Sequence, residues 1–110
     1  MIIAIGDIYA RAADREQVAA LLHATCDGVR AQPGCLRYAF AETLGDPGHF
    51  VALEQWADRA AFDAHYASEL FTDYQQQVGA HLARSSELRV FDVAAALSVE
   101  PRPLEPQQDG

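Results

Sequence analysis

Glu54, Trp56 and His65 are the residues of this chain whose types and spacing suit chemistry best. The run Phe50-Val51-Ala52-Leu53-Glu54-Gln55-Trp56 reads as a strand, and a helix starts directly after it at Asp58. Side chains alternate across a strand, so Glu54 and Trp56 share one face while Val51, Leu53 and Gln55 take the other. A helix that follows such a strand folds back over one sheet face, which brings His65 toward the face of Trp56. An acid, a large aromatic and an imidazole together make a small-molecule pocket. An imidazole titrates near working pH and suits a general base or a donor to a phenolic substrate. Glu54 could orient it, and a carboxylate on an aromatic face needs a partner, for which Arg37 and Arg89 are both candidates.

Other reactive types are dispersed. The histidines stand at 23, 49, 65 and 81, and neither a His-x-x-x-His pair nor a Cys-x-x-Cys pair occurs, so no metal site is expected. His23 and His81 read as helix-surface residues and His49 as a hairpin-edge residue. Cys26 and Cys35 are too few for a disulfide framework and read as packing thiols. The glycines form neither a phosphate loop nor a dinucleotide fingerprint. Tyr38, Phe40, Tyr66 and Phe91 are core aromatics that can also wall a flat pocket beside Trp56.

The elements that position these residues follow from periodicity. Ile2 to Ala10 is a strand, apolar on both parities, with Ile2, Ala4, Gly6 and Ile8 opposite Ile3, Ile5 and Tyr9. Asp14 offers an N-cap with Gln17 in capping-box position. Val18, Leu21, Leu22, Thr25, Cys26 and Val29 then form a helical stripe, ended by Gln32-Pro33-Gly34. Cys35 to Thr43 is the second strand, with Leu36, Tyr38 and Phe40 on one face. The turn Gly45-Asp46-Pro47-Gly48 joins it to the third as a hairpin. Asp58 caps a helix carrying Phe62, His65 and Tyr66, and Ser68 recaps the chain before Phe71, Tyr74, Val78 and Leu82. Glu87 to Val93 is the fourth strand, with Leu88 and Val90 opposite Arg89, Phe91 and Val93.

The order strand, helix, strand, strand, helix, strand predicts an α+β fold of the ferredoxin-like, split βαβ kind. Its sheet is four-stranded and antiparallel, with helices on one face. Strands apolar on both faces predict that a second copy covers the other face, as a homodimer joined through its sheets. Residues 1–94 form the domain. Residues 95–110, with Pro101, Pro103 and Pro106, form an arm on the partner or a frayed tail.

At 110 residues the chain holds one core. A net charge of −8, with arginine as every one of its eight cations, argues against nucleic acid as a partner. No apolar run approaches the roughly 20 residues of a membrane span, and the opening residues read as a strand rather than a signal peptide. A cytoplasmic protein with no membrane association is expected.

Three segments together carry a family resemblance: Pro33-Gly34-Cys35-Leu36-Arg37-Tyr38, Glu54-Gln55-Trp56, and Phe62-Asp63-Ala64-His65 with Phe71 six residues on. From Ile2 to Val93 the chain resembles the antibiotic biosynthesis monooxygenase (ABM) domain family, small dimeric α/β barrels that include quinol monooxygenases. The resemblance implies oxidation of an aromatic phenol, anthrone or hydroquinone to a quinone by O2, with no cofactor and no metal. His65 would serve proton transfer or anion stabilisation, Glu54 would hold the constellation, and Trp56 and Tyr38 would be walls. Related barrels act as polyketide cyclases or isomerases, or only bind a small molecule. Haem-degrading members resemble one another in an Asn on the first strand, a Trp on the middle helix and a later His. This sequence has no Asn, places His65 where that Trp would stand and Gln75 near the place of the His, and so departs from them.

Overall fold

The first strand, β1 (Ile2–Tyr9), is the spine of the sheet in a computed structural model that describes residues 1–104. It pairs antiparallel with β3 (His49–Trp56) on one side and with β4 (Glu87–Asp92) on the other. β2 (Cys35–Glu42) pairs with β3 at the edge, giving the order β2-β3-β1-β4. The helices α1 (Arg15–Arg30), α2 (Arg59–Tyr66) and α3 (Glu69–Gly79) complete the α+β, ferredoxin-like arrangement.

Alternation in β1 and β3 fixes which face the helices cover. Ile2, Ala4, Gly6 and Ile8 are buried, as are Phe50, Ala52, Glu54 and Trp56, while the residues between them are not. Two apolar clusters result. One joins Ile2, Ala4, Trp56 and Tyr38 to Cys26, Val29 and Phe62. The other joins Ile8 and Phe50 to Val18, Leu22 and Val78. Between them the register sets Gly6 against Ala52 and Leu88, and Ala52 against Phe40. That row contains the smallest side chains of the covered face, so the layers cannot close there. The void that follows is the site described below.

The other face carries Ile3, Ile5, Leu53 and Phe91, with no helix over it among the described residues. Leu53 and Phe91 are 38% and 44% exposed in the isolated chain. This is the apolar surface from which the sheet-to-sheet dimer was expected.

Local details depart from the sequence reading in two places. Asp14 does not cap α1: a short 3₁₀ turn, Ala12–Asp14, precedes the helix, and the Asp14 carboxylate accepts from Arg11 Nε at 2.9 Å instead. Leu36 does not share a face with Tyr38 and Phe40. The register slips between Cys35 and Arg37, which makes Leu36 the extra residue of a bulge and leaves it 60% exposed. Asp58 and Ser68 do cap their helices, accepting from the Ala61 and Phe71 amides at 2.8 and 3.2 Å. Residues 94–104 have no regular structure, and Leu97, Val99 and Leu104 are exposed. Pro106 and the end of the expected arm lie outside the described residues.

Gly34 lies where the turn after α1 meets the start of α2. Its φ is +78°, a Cβ there would lie 2.5 Å from Ala61 Cβ, and its carbonyl accepts from the Ala57 amide at 2.8 Å. Gly45 has nearly the same φ, +77°, but open space around it. Gly34→Ala is therefore expected to cost about 2–3 kcal/mol and Gly45→Ala about 1 kcal/mol, since only the first adds a clash to left-handed strain. Urea midpoints of the two variants check this; equal losses would mean that the close approach of Gly34 to Ala61 adds nothing to the cost.

Candidate active site

Glu54 enters the site from the middle of β3, one position along the helix-covered face from Trp56. Trp56 Nε1–H donates to Glu54 Oε1 at 3.0 Å, which fixes the carboxyl group. Only 7% of Glu54 is exposed, and this burial raises its pKa, the Trp56 bond opposing the shift.

His65 comes from the last turn of α2, the helix that Asp58 starts. Its ring stacks on Trp56 with centroids 4.6 Å apart, and it lies 4.9 Å from the Phe71 ring and 5.7 Å from the Tyr38 ring. The tautomer follows from its neighbours. Gln32 Nε2 donates to Ser68 Oγ at 3.2 Å, so Gln32 Oε1 faces His65 Nδ1, 2.7 Å away, and accepts its proton. That leaves Nε2 as a bare lone pair, fully buried, with no hydrogen-bond partner among the described residues and with Glu54 Oε1 at 3.7 Å.

Burial lowers the His65 pKa to about 4. The carboxyl and imidazole are thus both driven toward their uncharged forms: removal from water outweighs an attraction across 3.7 Å. The pH consequence has a definite sign. Unfolded His65 takes up a proton as pH falls through its ordinary value of 6.5, whereas folded His65 does not until about 4. Stability should therefore fall as pH drops across that window. Glu54 acts oppositely: stability is lost as pH rises from 4.5 through its raised folded value. His65→Gln removes the first effect. Its denaturation midpoint should lose less than wild type between pH 7 and 5, the difference being on the order of 1 kcal/mol. Parallel losses would show that His65 is not held neutral.

The void between the two core clusters is a cavity of about 330 Å³, within the range of small-molecule sites. Its deep end is formed by Glu54, Tyr38, Phe71 and Ala52, all buried. Tyr66 and Tyr74 add aromatic wall, and the exposed Gln75, Ser85 and Ser86 form the rim. Burial pushes the Tyr38 and Tyr74 phenols up, so both stay protonated.

Five of the expected site residues therefore converge. Glu54, Tyr38 and Tyr66 line the cavity. Trp56 and His65 stand behind Glu54 without lining it. His65 borders instead a second depression, with Gln32, Pro33, Gly34 and Asp58, on its far side. Phe40 supports the wall edge-on to Tyr38 and 6.3 Å from Tyr74. Phe91 is not brought in. It pairs with Ile3 and so belongs to the uncovered face, by the same alternation that puts Leu88 into the cavity. Arg37 and Arg89 likewise lie on that face, in rows with Gln55 and Ile5, and neither partners Glu54. Sequence reading also passed over Gly6, Phe71, Tyr74 and Gln75 as cavity residues. Gly6 carried a signal, since a lone glycine within an apolar strand marks close approach or free space.

His49 has more partners than a hairpin-edge residue would. Its Nε2 lies 2.8 Å from Asp7 Oδ1, its Nδ1 lies 2.9 Å from Thr43 Oγ1, and its ring stacks on Tyr9 at 4.7 Å. Burial raises both Cys26 and Cys35, which keeps them as thiols and poor nucleophiles. Among the described residues no group of three His, Cys, Asp or Glu could hold a metal ion, and no helix is long and apolar enough to cross a membrane.

Comparison with known proteins agrees with this architecture. The family model described as "Antibiotic biosynthesis monooxygenase" matches residues 1–77. An uncharacterised protein of Synechocystis is 28% identical over 93 residues, covering 84% of this chain, and the chain spans only 63% of that relative's length. A Mycobacterium tuberculosis protein named "Putative monooxygenase Rv0793" is 35% identical over 77 residues, covering 70% of this chain and 75% of its own. The Rv0793 structure superposes with a TM-score of 0.80, at 31% identity, over 88% of this chain and 98% of that one. A Deinococcus radiodurans structure titled as a family member has a TM-score of 0.86 at 25% identity, over 92% of this chain and all of the other.

Proposed function

Since the chain belongs to the antibiotic biosynthesis monooxygenase family, we propose that it oxidises an electron-rich aromatic, a phenol, anthrone or hydroquinone, to a quinone with O2 and without an added cofactor. One observation carries this reading above the others: the charged side chain at the deep end of an aromatic-walled cavity is a buried carboxylate held ready to take a proton.

In this reading the substrate ring lies between Tyr38, Phe71 and Tyr74 with its hydroxyl at Glu54. Glu54 removes the phenolic proton as general base, its raised pKa matching it better to a phenol than an ordinary carboxylate. The resulting anion can itself reduce O2 by one electron. The two radicals then combine at a ring carbon bearing hydrogen, protonated Glu54 returns its proton to the peroxide anion so formed, and loss of water from that hydroperoxide leaves a carbonyl. One oxygen atom enters the product and the other leaves as water. His65 works from behind as a positioning residue: stacked on Trp56 and tied to Gln32, it keeps Glu54 from relaxing into the core and excludes water from it. This differs from direct proton transfer by His65, whose free Nε2 meets Glu54 rather than the cavity.

The same proposal includes a homodimer joined through the uncovered sheet faces, which would remove Ile3, Ile5, Leu53 and Phe91 from water, and action in the cytoplasm. Oxygen uptake by purified protein with anthrones and naphthalene hydroquinones, above each compound's autoxidation, tests the activity. Binding of the panel with no oxygen uptake would instead favour a cyclase, an isomerase or a non-catalytic binder built on the same carboxylate.

A further inference from the structure

The geometry points to a charge preference for this cavity: aromatic compounds without anionic groups are taken, with carboxylated, sulfonated or phosphorylated counterparts rejected. The inference rests on the cavity being the substrate site, and it concerns charge, which the oxygen chemistry itself does not dictate. Among the described residues, those with charge that line the cavity are Glu54 and Glu87, both acids. Glu87 presents its backbone carbonyl beside Gly6, 3.5 Å from where a Cβ would be, while its strand partner Asp7 belongs to the uncovered face.

None of the eight arginines is among the lining residues, and those nearest in sequence are committed elsewhere. Arg84, next to Ser85 on the rim, lays its guanidinium over Tyr9, 3.6 Å from the ring centre. Arg89, next to Leu88, pairs in register with Ile5 on the uncovered face. Arg11 bonds to Asp14 and to the Ala80 carbonyl. Arg30 donates to the Tyr38 carbonyl at 2.9 Å, behind the tyrosine that forms the wall.

An anionic substituent entering this space would lose hydration, gain no countercharge and approach Glu54. It would do so in a protein of net charge −8. The rim suits hydroxyl and carbonyl groups instead: Gln75, Ser85 and Ser86 are neutral and can both donate and accept.

The test is calorimetric binding of two air-stable, product-like probes substituted at the same ring carbon, a hydroxymethyl-anthraquinone and the matching anthraquinone carboxylate. Wild type should bind the neutral probe at least tenfold tighter. Gln75→Arg, an exposed α3 position where arginine suits a helix, should improve carboxylate binding at least fivefold relative to the neutral probe. Equal affinity of wild type for the two probes would overturn the inference. So would a Gln75→Arg protein that gains nothing for the carboxylate. Charge selection with no oxygen uptake would retain this inference and remove the oxygenase reading; oxygen uptake with equal affinities would do the reverse.

Discussion

Glu54→Gln is expected to lower oxygenase turnover by about a hundredfold or more while leaving the fold as stable as wild type, or more stable, at neutral pH. The amide is nearly isosteric and its oxygen can still accept from Trp56 Nε1, so the bond that fixes residue 54 survives. What disappears is the ability to take a proton. The magnitude follows from the usual contribution of a positioned acid or base, about 10² to 10⁴ in rate. The stability half follows from the direction of the pKa shift. Burial disfavours the Glu54 anion, so wherever folded Glu54 is ionised the protein bears a cost that glutamine does not. Activity should fall without any loss in melting temperature, a pattern that a merely structural Glu54 would not give. Turnover within threefold of wild type would remove Glu54 from the chemistry. His65→Gln, in contrast, should act chiefly through the pH profile: without its buried neutral imidazole the apparent pKa of Glu54 should move, and turnover near the optimum should fall less than in Glu54→Gln.

Much of this arrangement is legible from residue order. Period-two spacing puts Glu54 and Trp56 on one face whatever the neighbouring strands do. A helix start two residues after Trp56 leaves His65 little choice but to fold back toward it. Capping signals at Asp58 and Ser68 hold because each is local, a side chain meeting an amide three residues ahead. Asp14 fails because a competing local partner, Arg11, takes its carboxylate first.

What sequence order does not carry is relation between distant segments. The role of His65 depends on Gln32, 33 residues earlier, whose amide is itself oriented by Ser68. No spacing rule connects these three. Whether Phe91 or its neighbours reach the cavity depends on the register of β4 against β1, and a one-residue slip would have turned Leu88 to the uncovered face and Phe91 to the covered one. Leu36 escapes a period-two reading for the same kind of reason: a bulge adds a residue that alternation cannot anticipate. The cavity itself is a property of a row, Phe40, Ala52, Gly6 and Leu88, assembled from all four strands. Sequence shows each small residue singly, and only pairing shows that they align.

Trp56→Ala should be the most destabilising single substitution in the site, costing about 3–5 kcal/mol, a large share of the 5–15 kcal/mol typical of a whole domain. Trp56 is completely buried and joins the cluster of Ile2, Ala4, Val29 and Phe62 to the His65 ring. Two separable losses make up the total. The first is the indole volume, which the surrounding layers can recover only in part. The second is the N–H donated to Glu54 Oε1, whose removal leaves a buried carboxyl oxygen without that partner, at about 1–3 kcal/mol. Trp56→Phe separates them: the ring body stays and the donor goes. It should unfold about 1–3 kcal/mol more easily than wild type in urea. The Trp56 bond is also what opposes the rise in the Glu54 pKa, so the phenylalanine variant should carry Glu54 with a still higher pKa. The acid limb of its pH–rate profile should then move to higher pH, because the carboxylate form of the base appears later. A Trp56→Phe protein with an unmoved acid limb would mean that Glu54 is not the group titrating in the reaction. One with wild-type stability would mean that the Trp56–Glu54 bond contributes nothing to holding the site together.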